Sequence, residues 1–333
     1  MTETNVDNSD SFDQDLVRNG GITLAMHDGT YHMIVEHAGA LAYYTSRGSN
    51  WSNPTSISTG SLVALHPRLT VAGYFDVDVR LRLLFASRIG DATRYYSLYK
   101  SLPNGTWSSP VPIGTNKAIE NRNTHSKAAH FAVNSSGITD RAVAVLPSDN
   151  GIGGNVRCAW AWQSSSDSYH YQDNLLPRER NPIEASGFAG VVDMSHNVLV
   201  RASTGTGDTM IYLSKPREGG TIWSRRAFTI GENIRDFALA QNKRNTSRIE
   251  IICKIGYRSN DLYHVSVDAQ NLAEISRQRI TQENFSDVSL TQSRNHLKAV
   301  GTVGGGSYSH YAMNLNSYQW SPGWVYDEAL SSE

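Results

Sequence analysis

The residues that could do chemistry in this sequence recur at one position of successive strand-like segments. Six such segments each begin a repeat, and the position that they share is occupied by Gly21, Arg68, Lys127, Phe188, Asp236 and Asp287. Because side chains alternate between the two faces of a strand, these six residues are expected to share one orientation. Two cations, two carboxylates and a phenyl ring would then surround one opening, where they could transfer protons or hold an anionic ligand.

Proton transfer is the chemistry that the order of these residues favours. The two cations come from consecutive repeats and are expected to be neighbours, and so are the two carboxylates. Neighbouring like charges raise the pKa of one carboxylate and lower the pKa of the lysine. A histidine stands two residues before each cation, on the same face of its strand. The predicted catalytic residues are therefore Asp236, Asp287, His66 and His125.

Ligand binding is assigned to cations and aromatic residues of the same region. The predicted substrate-binding residues are Arg68, Lys127, Phe188, Tyr257 and Arg258. The last two lie in a loop that is expected to open on the same side, where an aromatic face and a guanidinium suit an oxygen-rich or phenolate ligand. The alternative is that the charges only pair with one another and stabilise the fold. A slip of one residue in any strand would also turn its side chain to the other face.

A recurring hairpin indicates the elements that must position these residues. Its first copy covers residues 43–57 and joins a Tyr-bearing strand, a glycine turn and a Trp-Ser pair, and further Trp-Ser pairs stand at 107–108, 223–224 and 320–321. One hairpin of this kind cannot bury its apolar face alone, so its recurrence implies stacked sheets. The tryptophans are expected in the core between those sheets.

The spacing of strand-like segments predicts an all-β chain. Six sets of four strands indicate a single six-bladed β-propeller with four antiparallel strands per blade. The blades are expected at about 21–60, 66–114, 125–180, 187–231, 234–281 and 285–327, within one domain that spans 1–333. The alternative architecture is a two-sheet sandwich.

Composition and charge exclude several classes of partner. The formal net charge is −1 and no basic run occurs, so a nucleic-acid partner is not expected. No apolar stretch approaches the roughly 20 residues that span a bilayer, so no membrane partner is expected. The acidic N-terminal segment lacks the apolar core of a signal peptide, which favours a cytoplasmic location. Secretion is the alternative if a leader has been removed.

Cysteine and histidine spacing gives no metal signature. Cys158 and Cys253 fall in strand-like segments of different repeats and are expected to be buried thiols, with a disulfide as the alternative. Neither a C-x-x-C nor an H-E-x-x-H spacing occurs, so neither a metal nor another cofactor is expected.

The recurring hairpin resembles the Asp-box hairpins of sialidase-type propellers. The carboxylate that names the Asp box is absent from residues 46–51 and 100–107. A sialidase would also need an arginine triad that begins in an Arg-Ile-Pro element, and the segment His66-Pro67-Arg68 does not match it. Sialidase activity is therefore not expected.

The whole chain resembles the fungal fucose-specific lectins, which are six-bladed with blades of this length. That resemblance implies sugar sites made from an arginine of the second strand, a glutamate of the third and an aromatic residue. The corresponding strands here read IVE (34–36) and LAY (41–43), and IEI (249–251) and LYH (262–264). The Arg/Glu pair is not repeated from blade to blade, so fucose is expected to bind weakly or not at all.

The chain also resembles, in architecture and in its missing lectin residues, the lectin-like hetero-Diels–Alderases of fungal tropolonic sesquiterpene biosynthesis. This resemblance implies a cofactor-independent catalyst of dehydration and cycloaddition that acts on a largely apolar natural product in a central channel. Shape, proton transfer and polarisation would lower the barrier there. The alternative function is a fucose- or glycan-binding lectin with degenerate sites between blades. The partner is then an apolar natural product or a sugar, and a homodimer is the assembly considered.

Overall fold

The computed structural model describes most of the chain between residues 21 and 322. The described ranges are 21–47, 51–72, 79–90, 92–113, 120–121, 127–135, 139–149, 156–163, 169–172, 181–189, 195–203, 208–215, 223–231, 234–242, 244–256, 261–283, 285–292, 296–303 and 307–322. Within them the chain forms 25 β-strands, which confirms the predicted all-β class. The residues divide into two compact units, one from 1–57 and 235–333 and the other from 58–234.

Three sheets make up the unit that contains both ends of the described chain. The first sheet consists of β1 (Ile22–His27), β2 (Thr30–His37), β3 (Ala40–Ser46) and β4 (Thr55–Ile57). The fifth consists of β18 (Arg235–Gln241), β19 (Arg248–Lys254), β20 (Leu262–Asp268) and β21 (Glu274–Thr281). The sixth consists of β22 (Phe285–Gln292), β23 (His296–Val303), β24 (Ser307–Asn314) and β25 (Gln319–Pro322).

The other unit also contains three sheets. The second sheet consists of β5 (Ala64–Ala72), β6 (Arg80–Ile89), β7 (Ala92–Ser101), β8 (Val111–Pro112) and β9 (Glu120–Asn121). The third consists of β10 (Ala129–Ser135), β11 (Thr139–Asp149), β12 (Val156–Gln163) and β13 (Tyr169–Gln172). The fourth consists of β14 (Asn181–Ala189), β15 (His196–Ser203), β16 (Asp208–Lys215) and β17 (Ser224–Phe228).

Every sheet is an antiparallel meander in chain order, with one addition. Five sheets have four strands, but in the second sheet β9 pairs with β7 beside β8 and makes a fifth strand. The prediction of six four-stranded blades is therefore wrong: five sheets fit it and the second does not. The two-sheet sandwich is also wrong, because the described strands form six separate sheets. The prediction of a single domain stays a prediction.

The fourth sheet begins earlier than the sequence predicted. Its first strand starts at Asn181 rather than near residue 187. Pro182 and the charged residues near it are typical of a loop, but proline is also tolerated at the start of a strand or at a bulge. Glu184 is buried in this strand, and the guanidinium of Arg201 beside it offsets part of the cost of burying a carboxylate.

The first strands of neighbouring sheets contact one another within each unit. In one unit β22 lies between β18 and β1, and in the other β10 lies between β5 and β14. Apolar side chains fill the space between sheets, as with Ile252 and Val288 between the fifth and sixth. Full burial of such a side chain stabilises the fold by about 1.5–3 kcal/mol. Residues on the first strands are thereby held on adjoining, rigid elements.

The Trp-Ser pairs have the structural role that their recurrence indicated. Trp223 belongs to the core between the third and fourth sheets, and Trp51 and Trp320 pack against other core clusters. The serine that follows ties the hairpin, since Ser52 Oγ accepts the Thr45 N–H at 3.0 Å and Ser108 Oγ accepts the Tyr99 N–H at 3.0 Å. A core position is therefore confirmed for Trp223, whereas Trp51 and Trp320 are half-buried at the border of the core.

Two further expectations concern cysteine burial and the membrane. Cys253 is fully buried within β19 as a thiol rather than a disulfide, whereas the side chain of Cys158 lies outside the described part. Nowhere in the described ranges does a helix reach the length and apolarity that crossing a bilayer would demand.

Candidate functional site

The first strand is interrupted by a β-bulge in four of the sheets. Its pairing with the second strand shifts between Leu65 and Arg68, between Pro182 and Glu184, between Arg235 and Ala238, and between Phe285 and Asp287. A bulge redirects the side chains at that point and is common beside active sites. His66, Arg68, Asp236 and Asp287 therefore lie in or directly after these bulges.

Left-handed backbone occurs at two predicted catalytic residues. His66 has a φ of 50° and Asp236 a φ of 47°, and each is the first residue inside its bulge. Residues other than glycine adopt this conformation at a cost in free energy, and residues held in it cluster at functional sites. The shared geometry makes these two residues equivalent members of their sheets.

The predicted alignment of the charged residues needs correction because of these bulges. Arg68 was matched with Asp236, but Arg68 resumes the pairing after its bulge as Ala238 does after its own. His66 is the residue that matches Asp236. The alignment is displaced by two residues, because each bulge places two residues opposite one and the apolar pattern of the strand does not show where this happens.

A second correction concerns the neighbour of Lys127. Lys127 was aligned with Phe188, but it forms a parallel bridge with Glu184, and the Ala185 N–H donates to the Lys127 carbonyl at 2.8 Å. Phe188 pairs instead with Asn197, near the other end of β14. The backbone of Lys127 is therefore paired with that of a glutamate rather than with that of a phenylalanine.

Glu184 is the centre of a buried charged cluster. Its residue is 1% exposed, and its Oε2 lies 3.4 Å from Nε of Arg201 on the neighbouring strand. Lys127 is also buried. Sequence reasoning missed Glu184 and Arg201, because nothing in the local sequence shows that these opposite charges lie on paired strands. The guanidinium beside this buried carboxylate offsets part of the cost of removing it from water.

His130 supports the backbone at Arg68. Its Nδ1 donates to the Arg68 carbonyl at 3.0 Å. The pKa of His130 is lowered to about 4, chiefly by burial and also by the charge of Arg82, although the hydrogen bond to Arg68 raises it. His130 is therefore a neutral donor near neutral pH and fixes the strand that carries Arg68.

The remaining predicted site residues have the following positions. Asp236 lies in β18 and Asp287 in β22, which are adjoining strands, as predicted. The Arg68 guanidinium donates to the Pro67 carbonyl at 3.0 Å. His125, Tyr257 and Arg258 lie outside the described residues. The catalytic and binding roles assigned to the whole set stay predictions.

A separate polar network occupies the fifth sheet. Glu250, which is 0% exposed, accepts hydrogen bonds from Nδ2 of Asn242 at 2.8 Å, from Nε2 of His264 at 2.9 Å and from the Ser266 hydroxyl. Burial raises the pKa of Glu250, but the bonds from these three groups together outweigh it and hold the pKa below its usual value. The carboxylate is thus buried in its charged form by donors of the protein itself.

Equivalent polar pairs occur in other sheets. Glu250 and His264 join the second strand to the third by a diagonal contact. The first sheet has His32 with Tyr43 OH at 2.7 Å, and in the fourth the Tyr212 hydroxyl donates to Asn197 at 2.7 Å. None of these three pairs is the Arg/Glu pair implied by the lectin resemblance. The position is polar and buried, but its chemistry changes from sheet to sheet.

Comparison with known proteins places the fold in a recognised class. No protein-family model and no curated protein sequence matches the chain. Among solved structures, the Aleuria aurantia lectin in complex with Fucα1-6GlcNAc is 10% identical, with a TM-score of 0.64 over 95% of this chain and 99% of that one. Likeness at this identity shows the fold, which is that of an all-β propeller.

Two further solved structures have the same fold. A mutant of AofleA from Arthrobotrys oligospora is 10% identical, with a TM-score of 0.67 over 95% of this chain and 90% of that one. An α-L-arabinanase from Penicillium chrysogenum, complexed with arabinobiose, is 11% identical, with a TM-score of 0.68 over 92% and 97%. The resemblance to fucose-binding lectins is thus supported at the level of fold. The resemblance to hetero-Diels–Alderases has no counterpart in these likenesses.

Proposed function

We propose that this protein is a propeller that binds sugars. The observation that supports this most strongly is the likeness of fold, over nearly the whole of both chains, to proteins whose structures hold a fucosyl disaccharide, methyl fucoside or arabinobiose. Ligand sites combine a rigid, largely apolar wall with a few precisely placed polar groups, and such polar groups can hydrogen-bond the hydroxyl groups of a sugar. This favours the lectin alternative over the apolar natural product.

The sugar is not expected to be fucose held in the manner that the lectin resemblance implies. The Glu250 carboxylate is already saturated by Asn242, His264 and Ser266, and so is closed to a ligand hydroxyl. The diagonal partner of Asn197 is likewise a protein hydroxyl. Recognition would therefore fall to groups outside these buried pairs.

A glycan array followed by calorimetric titration tests the proposal. We expect at least one glycan to bind saturably and α-methyl fucoside to bind weakly or not at all. Several saturable fucose sites per chain would contradict the second expectation. Absence of binding to every glycan on a broad array would overturn the proposal itself.

Small-molecule transformation at the first strands is a second candidate function, favoured by the left-handed backbone of His66 and Asp236. If Asp236 is an acid or base, Asp236→Asn should lower turnover of a tropolone- or quinone-methide-type substrate by at least ~10²-fold. Thermal stability should change little, because ion pairs of partly solvated groups contribute about 1 kcal/mol or less. Arg68→Ala is the companion variant, and unaltered turnover in both would end this candidate.

A further inference from the structure

Turns of the fifth and sixth sheets bring two arginines onto one surface, which we call the arginine surface. It consists of Arg244 and Arg248, at the connection from β18 to β19, and of Asn316 and Tyr318, at the connection from β24 to β25. The guanidinium carbon of Arg248 lies 5.1 Å from the centroid of the Tyr318 ring. Arg244 donates through Nη1 to Oδ1 of Asn316. Each of these two arginines is therefore held by a residue of the sixth sheet.

Tyr318 is fixed in an uncommon backbone conformation. Its φ is 52°, its N–H donates to the Asn314 carbonyl at 2.8 Å, and its hydroxyl accepts from Nδ2 of Asn242 at 2.8 Å. The corresponding turn of the fifth sheet has Leu272, with a φ of 61° and the same bond to Asp268, but Leu272 is 6% exposed and faces the core. The sixth sheet uses this strained position to extend an aromatic ring toward its neighbour.

Arg248 is oriented by stacking rather than by hydrogen bonds. Among the described residues its guanidinium contacts the Tyr318 ring but makes neither a hydrogen bond nor a salt bridge. Stacking fixes the plane of the guanidinium and leaves its N–H donors unused by the described residues. A cation held in this way is organised in advance for a planar, bidentate acceptor.

Acceptors on the arginine surface are already engaged by the protein. Asn242 Oδ1 accepts the N–H groups of Arg244 and Asn245, and Asn245 Oδ1 accepts the Ser247 hydroxyl at 2.6 Å. Asp268, which pairs with Arg248 in the strand register, accepts two N–H groups of its own turn through Oδ1. The arginine surface itself contains two guanidinium groups and no carboxylate, which favours an anion over a neutral polyol.

We propose that the arginine surface binds the carboxylate of an acidic sugar, an inference that rests on the proposed sugar-binding function and specifies its ligand class. Arg248 supplies the bidentate contact, and Arg244 adds a second positive charge nearby. Tyr318 positions Arg248 and is itself positioned by Asn242. Neutral sugars lacking a carboxylate gain nothing from the forked guanidinium and bind this surface more weakly.

Methyl β-glucuronide and methyl β-glucoside are a matched pair of probes, because they differ only in the carboxylate at C6. Calorimetric titration of the full chain should show the glucuronide to bind at least ~10-fold more tightly, with the advantage shrinking as salt rises. Arg248→Ala should remove most of that advantage and leave the glucoside within about 2-fold of wild type. Arg248→Lys keeps the charge but loses the fork, and should recover only part of it.

Two more variants control for charge and for folding. Arg277→Ala removes an equal charge from β21, where Arg277 already pairs with Glu274 at 2.5 Å, and it should leave both ligands unaffected. Tyr318→Leu places at this turn the residue that the fifth sheet tolerates, so it should fold and yet weaken glucuronide binding by releasing Arg248. Melting curves confirm that each variant is folded.

The outcomes separate this inference from the function on which it rests. Equal affinity for the two probes, or an Arg248→Ala variant that keeps the glucuronide advantage, overturns the arginine surface as a site even if other glycans bind. If Arg277→Ala also loses the tighter binding of the glucuronide, that preference is due to net charge, and the arginine surface is overturned as a site. Absence of any glycan binding on the array overturns the sugar-binding function, and this inference with it.

Discussion

Two buried glutamates of this protein, Glu250 in the fifth sheet and Glu184 in the fourth, are accommodated in different ways. Glu250 is surrounded by an amide, a hydroxyl and an imidazole, each of which donates a hydrogen bond. Glu184 lies beside the guanidinium of Arg201 and is bridged through its backbone to Lys127. One carboxylate is stabilised by oriented dipoles and the other by fixed charges.

The network around Glu250 therefore organises structure, whereas the charged cluster around Glu184 could act on a ligand. A carboxylate saturated by hydrogen bonds holds its neighbours in one arrangement and has little left to offer. The stability of a carboxylate beside a cation depends on both charges, because the loss of one leaves the other without its counter-charge. Substitutions that remove one member at a time should therefore affect the two regions unequally.

The largest effect is expected when the charged cluster loses its carboxylate. Glu184→Leu leaves Arg201 without this counter-charge, so the free energy of unfolding in urea should fall by about 3 kcal/mol. The double variant Glu184→Leu with Arg201→Leu should regain much of the loss, because an apolar pair can replace a buried ion pair. A Glu184→Leu variant as stable as wild type would show that the charges of this region are not coupled.

His130, in the unit that holds Glu184, should make the stability of the protein depend on pH. Its pKa falls from 6.5 to about 4 on folding, so the unfolded chain binds more protons between those values. Stability is then complete above pH 6.5 and is lost as the pH falls toward 4, by about 3 kcal/mol in all. His130→Asn keeps a donor near the Nδ1 position but cannot titrate. If the variant and the wild type show the same pH dependence, His130 is not its source.

Glu250→Gln should have a smaller effect, of about 2 kcal/mol at neutral pH, since it removes the charge from its hydrogen bonds while keeping the shape. The folded pKa of Glu250 lies below the 4.5 of an unperturbed glutamate. Its contribution is therefore present above pH 4.5 and is lost as the pH falls through the folded value. Urea denaturation of both proteins from pH 7 to 3 should show their difference shrinking. A constant difference would mean that Glu250 is not charged in the folded state.

Most strands of this fold could be predicted from the sequence, because alternation and the Trp-Ser hairpins record local requirements. Trp223 packs into a core, and Ser52 accepts a hydrogen bond from the preceding strand. Both residues belong to a hairpin of about fifteen residues, so the sequence of that short segment is enough to predict it. The strand that begins at Asn181 was missed because its buried Glu184 depends on Arg201, which is remote in sequence. Long-range charge pairing has no local pattern.

The candidate site could be predicted only in part for the same reason. Lys127, Arg68 and Asp236 were found as charges on first strands, but their alignment was displaced by bulges that add residues without changing the apolar pattern. Tyr318 was missed because a left-handed aromatic at a turn follows no composition rule. Its role depends on Arg248, which belongs to a different sheet.

The fifth strand of the second sheet affects how this protein meets other chains. β8 has only two residues and pairs with Tyr96 and Ser97, whereas β7 extends ten residues. A bare stretch of β7 beyond β8 would present unsatisfied N–H and C=O groups, to which a foreign strand could add. β9 pairs with Thr93 and Arg94 and occupies those groups. The edge of the second sheet at this point is then a strand of only two residues, and very short edge strands are one means by which proteins limit edge-to-edge aggregation.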